Sequence, residues 1–469
     1  MNSPQYSLKQ HNRNNRMNFT FTPLDKILES IRRPVLVEPD KEYSEIGVYS
    51  FGRGIFHKSP RSAIEIGNKE LFTIKPGDFI LHLTFAWEGA VAIASAKEEG
   101  RYGSTRFLTY KVNEDLCLPQ YLLYYFMTKN GLEQLKKISP GSAGRNRVLN
   151  TGRFSEVLVP LPLRDVQKKT IDNLEAFFIK FAPINNRVSN IPSLLEKLVL
   201  SILQYACSGK LTGDWRIENK SIPPAIKILE KIKTEREANF KIQYERWKNK
   251  EDEKPTQDYD FLYEAHPEIT TWAKAKLDKL IYIAGRIGWK GLTADEYVEE
   301  GPLFLSVSNM HEDEYVNFNG ANHVTNERYE ESPEIQLQNE DILLVKDGSI
   351  GKIAMVKNLK EPTTVNGSIL VVRGREAFIP KFLFYFLKGP ELQNIAKNRI
   401  RRGSTPHLFQ RDIRKFIIPV PPLEEQKEII KQTEKLLNIV YKNQKRHDKI
   451  ISLAKKLPSA ALKSAFKIE

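Results

Sequence analysis

Cysteine is nearly missing from this 469-residue chain: Cys117 and Cys207 are its two. Two cysteines cannot make a disulfide framework, so nothing here argues for secretion. Long apolar runs are missing too. The most apolar window, Phe79 to Ala96, carries His82, Glu88 and a Trp-Glu-Gly break. It reads as two buried strands and no membrane span. Met1 to Met17 is polar and lacks an apolar signal core, so the cytoplasm is the expected compartment.

Signatures of catalysis are absent as well. Asp347-Gly-Ser-Ile-Gly-Lys352 is too short for a phosphate-binding loop and does not lead into a helix. No Asn-Pro-Pro-Tyr or Asp-Pro-Pro-Tyr string marks an amino-methyltransferase; Pro421-Pro422 follows Val420 and leads into Leu423. No His/Cys cluster has zinc spacing, so no metal site is expected. Carboxylates such as Glu38 and Asp40 read as ordinary surface residues. An enzyme acting alone is not expected.

What is present is a surplus of positive charge. Lys and Arg number 72 against 58 Asp and Glu, a net charge of +14. That excess points to an acidic partner, most simply nucleic acid. The chain is long enough for two or more domains.

A repeat organises it. Pro419-Val-Pro-Pro-Leu-Glu-Glu-Gln-Lys-Glu428 has an earlier copy, Pro160-Leu-Pro-Leu-Arg-Asp-Val-Gln-Lys-Lys169. Gln167 matches Gln426 and Lys168 matches Lys427, each 259 positions apart. The offset holds through Ile171 and Ile430, Leu198 and Leu457, and Ala206 and Ala465. A length kept twice suggests that the length itself matters. Each copy opens extended at its prolines and then turns helical. In the second copy Ile430, Leu437, Gln444 and Ile451 form one row of a heptad. Thr433, Val440, His447 and Ala454 form the other. The polar centre weakens a coiled coil but fixes its register. Two paired antiparallel helices are the expectation; two separate surface helices are the alternative. Pro183, Pro192 and Pro458 are expected to kink or interrupt them.

The segments before the two copies also correspond. Phe21 to Ile31 reads as a short helix. Strands follow at Ile46 to Phe56 (broken by Gly52-Arg53-Gly54), Phe79 to Phe85, Ala90 to Ala94, and Phe107 to Val112. Pro119 opens a helix running to about Ile138. Later, Asp341 to Val345, Lys352 to Val356 and Ile369 to Arg373 read as strands, and Pro380 opens a helix. The expected class is α+β: two globular α/β units separated by two long antiparallel coiled-coil helices, with a pseudo-two-fold internal repeat. The expected boundaries are a polar segment 1–17, a first unit 18–159, a first long-helix region 160–221, a charged helix and linker 222–270, a second unit 271–418 and a second long-helix region 419–469.

Basic loops precede both copies. Gly141-Ser-Ala-Gly-Arg-Asn-Arg147 carries Arg145, Asn146 and Arg147. Arg399-Ile-Arg-Arg-Gly-Ser-Thr-Pro-His407 carries Arg401, Arg402, Ser404, Thr405 and His407. Arginines on glycine-rich turns suit phosphate and guanine contacts, and Ser, Thr and Asn reach backbone or base edges. A solvated charged loop is the plain alternative. Arg53, His57 and Lys58 on the first hairpin, and Arg286 and Lys290 in the second unit, are further candidate DNA contacts.

These residues together resemble the specificity subunit of type I restriction-modification systems. The resemblance rests on Ile418-Pro-Val-Pro-Pro-Leu-Glu-Glu-Gln426, its weaker copy from Pro160, Ile191-Pro-Ser-Leu-Leu-Glu-Lys197 leading to Ala206-Cys-Ser-Gly-Lys-Leu-Thr-Gly-Asp-Trp-Arg216, and Arg402-Gly-Ser-Thr-Pro-His-Leu408. It spans nearly the whole chain. The first copy departs at Leu163-Arg164-Asp165-Val166, and its basic loop has Ala143-Gly144 where Thr405-Pro406 stands in the second. The resemblance implies two target recognition domains, each reading one half of a split double-stranded DNA site. It implies helices that space them and dock two methyltransferase (modification) subunits, joined by restriction/translocase subunits. S-adenosylmethionine, ATP and Mg would sit on those partners, with no cofactor and no catalytic residue in this chain. A two-module DNA-binding regulator and a self-contained restriction enzyme with a degenerate catalytic site are the alternatives.

Overall fold

The computed structural model describes residues 19–141, 147–251, 253–286, 296–310, 314–402 and 407–466. They pack into two units. One runs to Asn190 and takes up the chain again from His447; the other is Ile191–Arg446.

The first unit is built on a four-stranded antiparallel sheet. Its strands are β1 (Leu28–Ile31), β2 (Phe79–His82), β3 (Val91–Ile93) and β4 (Phe107–Val112), in the order β3-β2-β4-β1. Strand β2 is apolar at Phe79, Ile80 and Leu81 and buried at every position including His82, as a strand covered on both faces must be. Helices α1 (Pro119–Met127) and α2 (Lys129–Lys137) follow. The expected single helix is divided at Thr128. That residue is extended (φ −72°, ψ 159°), and its hydroxyl caps α2 by accepting from the Gly131 amide.

The expected helix at Phe21–Ile31 is a second correction. Only Leu24–Ile27 is helical, a single turn. Leu24, Ile27 and Leu28 are buried at helical spacing, which is what the pattern reports. The flanking residues find strand partners instead: Phe19–Pro23 pairs with Leu158–Pro162, and Leu28–Ile31 with residues of β4. Ladder hydrogen bonds on both sides outweigh the propensity of so short a segment.

The long helix α3 is Arg164–Cys207 and the charged helix α4 is Ala225–Lys248. The second unit repeats the sheet with β5 (Ile281–Ala284), β6 (Ile342–Val345), β7 (Ile353–Met355) and β8 (Ile369–Gly374), ordered β5-β8-β6-β7. This is the first unit's order, strand for strand. Helices α5 (Pro380–Lys388) and α6 (Pro390–Arg402) match α1 and α2, and the last helix, α7, is Leu423–Ala465. Part of the linker expected within 222–270 is built into the unit: Tyr263–Ala265 pairs with the strand Ala273–Lys276.

Both long helices run unbroken through their prolines. Pro183 and Pro192 lie on exposed positions and Pro458 on a half-buried one. Each proline removes one helical hydrogen bond. The packing of an amphipathic face over more than ten turns outweighs that local loss. Within the first unit, α3 packs Ile171, Leu174 and Phe178 into the same cluster as Leu462 of α7 and Phe466 just beyond its end. Within the second, Leu195, Val199, Ile202 and Leu203 of α3 meet Ile429, Leu437 and Val440 of α7. Early residues of one helix thus meet late residues of the other, so the pair is antiparallel. The buried row on α7 is Thr433, Val440, His447 and Ala454.

The conserved length of the repeat has a local anchor. Gln426 is fully buried; its side-chain amide donates to the carbonyls of Ala377 (2.9 Å) and Pro421 (3.0 Å), and its Oε1 accepts from the Ile379 amide (2.8 Å). Gln167 makes the same three bonds, to Leu116 O, Pro162 O and Leu118 N. In each unit one glutamine ties the turn before the Pro-opened helix to the start of a long helix. Gln426→Leu would leave two carbonyls and an amide buried without partners. We expect it to cost about 2–5 kcal/mol of unfolding free energy, read by denaturant titration.

The departure at Val166 also has a structural counterpart. Glu425, its match in the second copy, is buried and accepts from Thr212 Oγ1 (2.7 Å), Trp272 Nε1 (2.8 Å) and Arg216 Nη2 (2.8 Å). That carboxylate gathers the Thr212-to-Arg216 turn onto α7. Valine has no group to do so in the first unit.

Candidate nucleic-acid interface

In the first unit three segments converge beyond the end of β2. The first is the loop Thr84–Gly89. The second is the tip of the hairpin made by Ile46–Val48 and Ile55–His57. The tip docks on the loop through Phe51 N to Glu88 O (2.8 Å), Gly52 N to Gly89 O (2.9 Å) and Ser50 Oγ to Glu88 Oε2 (3.0 Å). Gly52 is required there: its φ is +63°, and a Cβ would lie 2.6 Å from the Met127 side chain. The third segment arrives through Leu149, whose amide donates to Leu83 O (2.9 Å).

Two candidate arginines flank this loop. Arg53 is exposed, donates from Nε to Ser50 O (3.1 Å), and places its guanidinium 5.0 Å from the Tyr49 ring centre. Arg147 stacks 5.2 Å from the Trp87 ring. Tyr49 and Phe51 are exposed beside them. Cations on aromatic faces with open edges suit phosphate and base contact.

His57 and Lys58 are turned to partners within the unit. His57 Nε2 lies 2.7 Å from Glu98 Oε1. Lys58 Nζ is 3.9 Å from Glu45 Oε2. Burial pushes the Lys58 ammonium below the ordinary lysine range. Glu45 is buried and also gathers Arg61 and Lys69. Burial pushes its carboxyl up, but hydrogen bonds from Lys69 and Arg61 outweigh that and hold it low. Nearby His82 is pushed down to about 4, first by burial and then by Arg106 and Lys58, so it is neutral near pH 7.

The second unit has the same construction. The loop Asp347–Gly351 joins β6 to β7, as Thr84–Gly89 joins β2 to β3. Leu408 N donates to Lys346 O at 2.9 Å, matching Leu149 on Leu83. His407 Nδ1 is hydrogen-bonded to Asp347, and its ring lies 4.4 Å from that of Phe409. Arg411 stacks on the other partner of that pair, 4.6 Å from the Phe409 ring. A shallow groove is lined by Lys346, Leu370, His407, Phe409, Gln410 and Arg411. Gly285 packs against Leu370 and Gln410 at the end of β5, and Arg286 follows it. The Arg286 side chain is 7% exposed and pairs with Glu331 at 3.6 Å, while its Nε and Nη2 make no hydrogen bond among the described residues.

Arg145, Asn146, Lys290, Ser404 and Thr405 lie outside the described residues. Arg401 and Arg402 are placed only as the last residues of α6. Trp87 enters the sequence reading only within the Trp-Glu-Gly break between two strands and not as a candidate contact. Asp347-Gly-Ser-Ile-Gly351 enters it as the link between two strands and is rejected as a phosphate loop, again without a contact assigned to it. The signal that could have paired the two is their common place between the same two strands.

The family model for the type I restriction modification DNA specificity domain matches residues 20–192 and 297–450. The EcoBI type I restriction enzyme specificity subunit of Escherichia coli is 22% identical over 324 residues, covering 68% of this chain and 60% of that protein. The EcoKI specificity subunit of Escherichia coli strain K12 is 22% identical over 411 residues, covering 86% of this chain and 76% of that one. The chain thus spans less than two thirds of the EcoBI subunit's length. A solved chain of a type I R-M system shares the fold, with a TM-score of 0.68 at 15% identity, over 97% of this chain and 99% of that one. With its sheet, loop and glutamine anchor each present twice, and the family pattern matched in both halves, the chain belongs to the type I restriction modification DNA specificity family.

Proposed function

We propose that this chain is the DNA-sequence specificity subunit of a type I restriction-modification complex. Each unit reads one half of a bipartite duplex target, and the long helices space the units and dock two modification subunits. The observation that carries this reading is the duplicated loop: a strand-to-strand turn, an arginine or histidine beside an aromatic ring, and a basic segment arriving at the same place in both units. Arg53, Arg147 and His407 are the described side chains proposed to meet DNA, and Arg286, 7% exposed and paired with Glu331, is proposed to hold the end of β5 in place. Arg145, Asn146, Lys290, Arg401, Arg402, Ser404 and Thr405 are proposed to join them. His57 and Lys58 hold the first hairpin through Glu98 and Glu45. The chain itself is proposed to be non-catalytic. Methyl transfer from S-adenosylmethionine, and ATP- and Mg-dependent translocation and cleavage, would belong to partner subunits.

The test is the salt dependence of duplex binding. Each neutralised phosphate lowers log affinity by about 0.9 per unit of log salt, so four contacts predict a fall of about 150-fold between 50 and 200 mM. Fluorescence anisotropy on random-sequence duplex measures it. A flat response over that range would remove the basic loops as the source of affinity. Magnesium-dependent cutting or methyl transfer by the purified chain alone would favour a self-contained enzyme instead.

A further inference from the structure

We infer that His447 and Pro192 form a pin that fixes the register of the two long helices, and that this pin sharpens the choice of spacer between the two half-sites. The second part rests on the proposed function.

Pro192 has no N–H, so the carbonyl four residues back, on Val188, has no donor within α3. His447 of α7 supplies one: its Nε2 lies 2.7 Å from Val188 O. A carbonyl only accepts, so Nε2 carries the hydrogen. His447 is 3% exposed, and its Nδ1 has no hydrogen-bond partner among the described residues. A polar ring is thus held in the buried row of α7 by one bond, and that bond exists because a proline bared its acceptor.

The place of the contact matters as much as its chemistry. Val188 and His447 are 259 positions apart, the spacing of the repeat. Each residue therefore meets its own counterpart. In an antiparallel pair of repeated helices, counterparts face one another at one level only. That level falls outside both apolar clusters. Helix α3 contributes to the first cluster as far as Phe178 and to the second from Leu195. Helix α7 contributes to the second as far as Tyr441 and to the first from Ala461. Between those limits apolar packing is thin, and an apolar seam tolerates displacement by a heptad. A histidine donor does not. Seven residues either way would set it against Phe181 or Leu195, whose carbonyls accept from Asn185 and Val199 of the continuous helix. A single polar residue in a helix seam selects register in this manner, at some cost in stability.

A double-mutant cycle tests the pin. Pro192→Ala restores the helical N–H and returns the Val188 carbonyl to α3. His447→Leu should therefore lower the melting temperature by about 2–8 °C with Pro192 present, and by nothing, or with a gain, in the Pro192→Ala background. His447→Gln keeps a donor and should retain most of the stability. Equal effects of His447→Leu in both backgrounds would overturn the pin.

The spacer role needs a readout that stability does not move. The double variant P192A/H447L is expected to melt like the parent but to lack the cross-helix bond. Assembled with its modification subunits, it should be compared with the parent on duplexes carrying the mapped half-sites with spacers one base pair short, correct, and one long. The preference for the correct spacer should fall by about tenfold, equivalent to about 1.4 kcal/mol. An unchanged preference in the double variant overturns the spacer role. A parent complex with no spacer preference at all overturns the proposed function and the spacer role with it, while the melting cycle still decides the pin.

Discussion

With two modification subunits per chain, as proposed, Leu194→Glu combined with Leu198→Glu should reduce the number bound from two to one. Leu453→Glu with Leu457→Glu should do the same, and the four changes together should leave none. The long helices carry these leucines on their outer faces, 59% and 48% exposed on α3 and 62% and 47% on α7. The two pairs are counterparts under the 259-residue offset. An apolar pair left open once is unremarkable; the same pair left open at both corresponding places suits two copies of one partner. Because all four side chains are exposed, the isolated chain should fold and melt as before. Burying two leucines against a partner contributes about 3 kcal/mol or more, so each double change should weaken its dock by at least about 150-fold. Native mass spectrometry of the co-expressed complex counts the subunits directly. Two modification subunits still bound to the fourfold variant would place the dock elsewhere.

A matched insertion in the two helices should move the half-sites apart without changing either. Four residues add about 6 Å and about 400° of winding, a net turn near 40°. One base pair advances DNA by about 3.4 Å and turns it by roughly 35°. The unread spacer should therefore lengthen by one or two base pairs. The repeat alone points to Ile171 and Ile430 as matched insertion points. The packing rules them out: Ile171 is buried in the first unit's cluster and Ile430 packs against the second's. Corresponding positions also do not face one another in an antiparallel pair, except where Val188 meets His447. The insertions belong after Ile184 and after Ile450, one turn from that contact on each helix, so that both strands of the pair lengthen at one level and the pin is kept. Methylation mapping of the active complex reads the result. Full activity with an unchanged spacer would show that helix length is not the ruler.

Several features needed no tertiary structure. The repeat was legible because Pro160, Gln167 and Leu198 recur as Pro419, Gln426 and Leu457 without a gap. The strand from Phe107 to Val112 and the helices opening at Pro119 and Pro380 were legible because local pattern and proline chemistry specify them. The family could be read from the second proline motif and the turn ending at Arg216. The helical turn within Phe21–Ile31 misled because buried residues at helical spacing also occur where two strands flank a single turn.

The candidate interface was legible only in its residue types. Arg53, His57 and Lys58 look alike as basic residues on one hairpin. The fold distinguishes them, because Glu98 and Glu45, 41 and 13 positions away in sequence, pair with the last two, while Arg53 donates to the Ser50 carbonyl of its own hairpin tip. Trp87 acquires meaning from Arg147, which reaches it from the far side of β4 and two helices. The same holds for the long helices. Their heptads and the offset of 259 were in the sequence, as were Pro192 and His447. Whether a proline breaks a helix or bares a carbonyl for a neighbour depends on which side chain arrives opposite it. Sequence sets the local periodicity, the charge and the repeat, because those arise between residues close along the chain. The partner of each charge and the register of the helix pair arise between residues tens to hundreds of positions apart, and only the packed chain decides them.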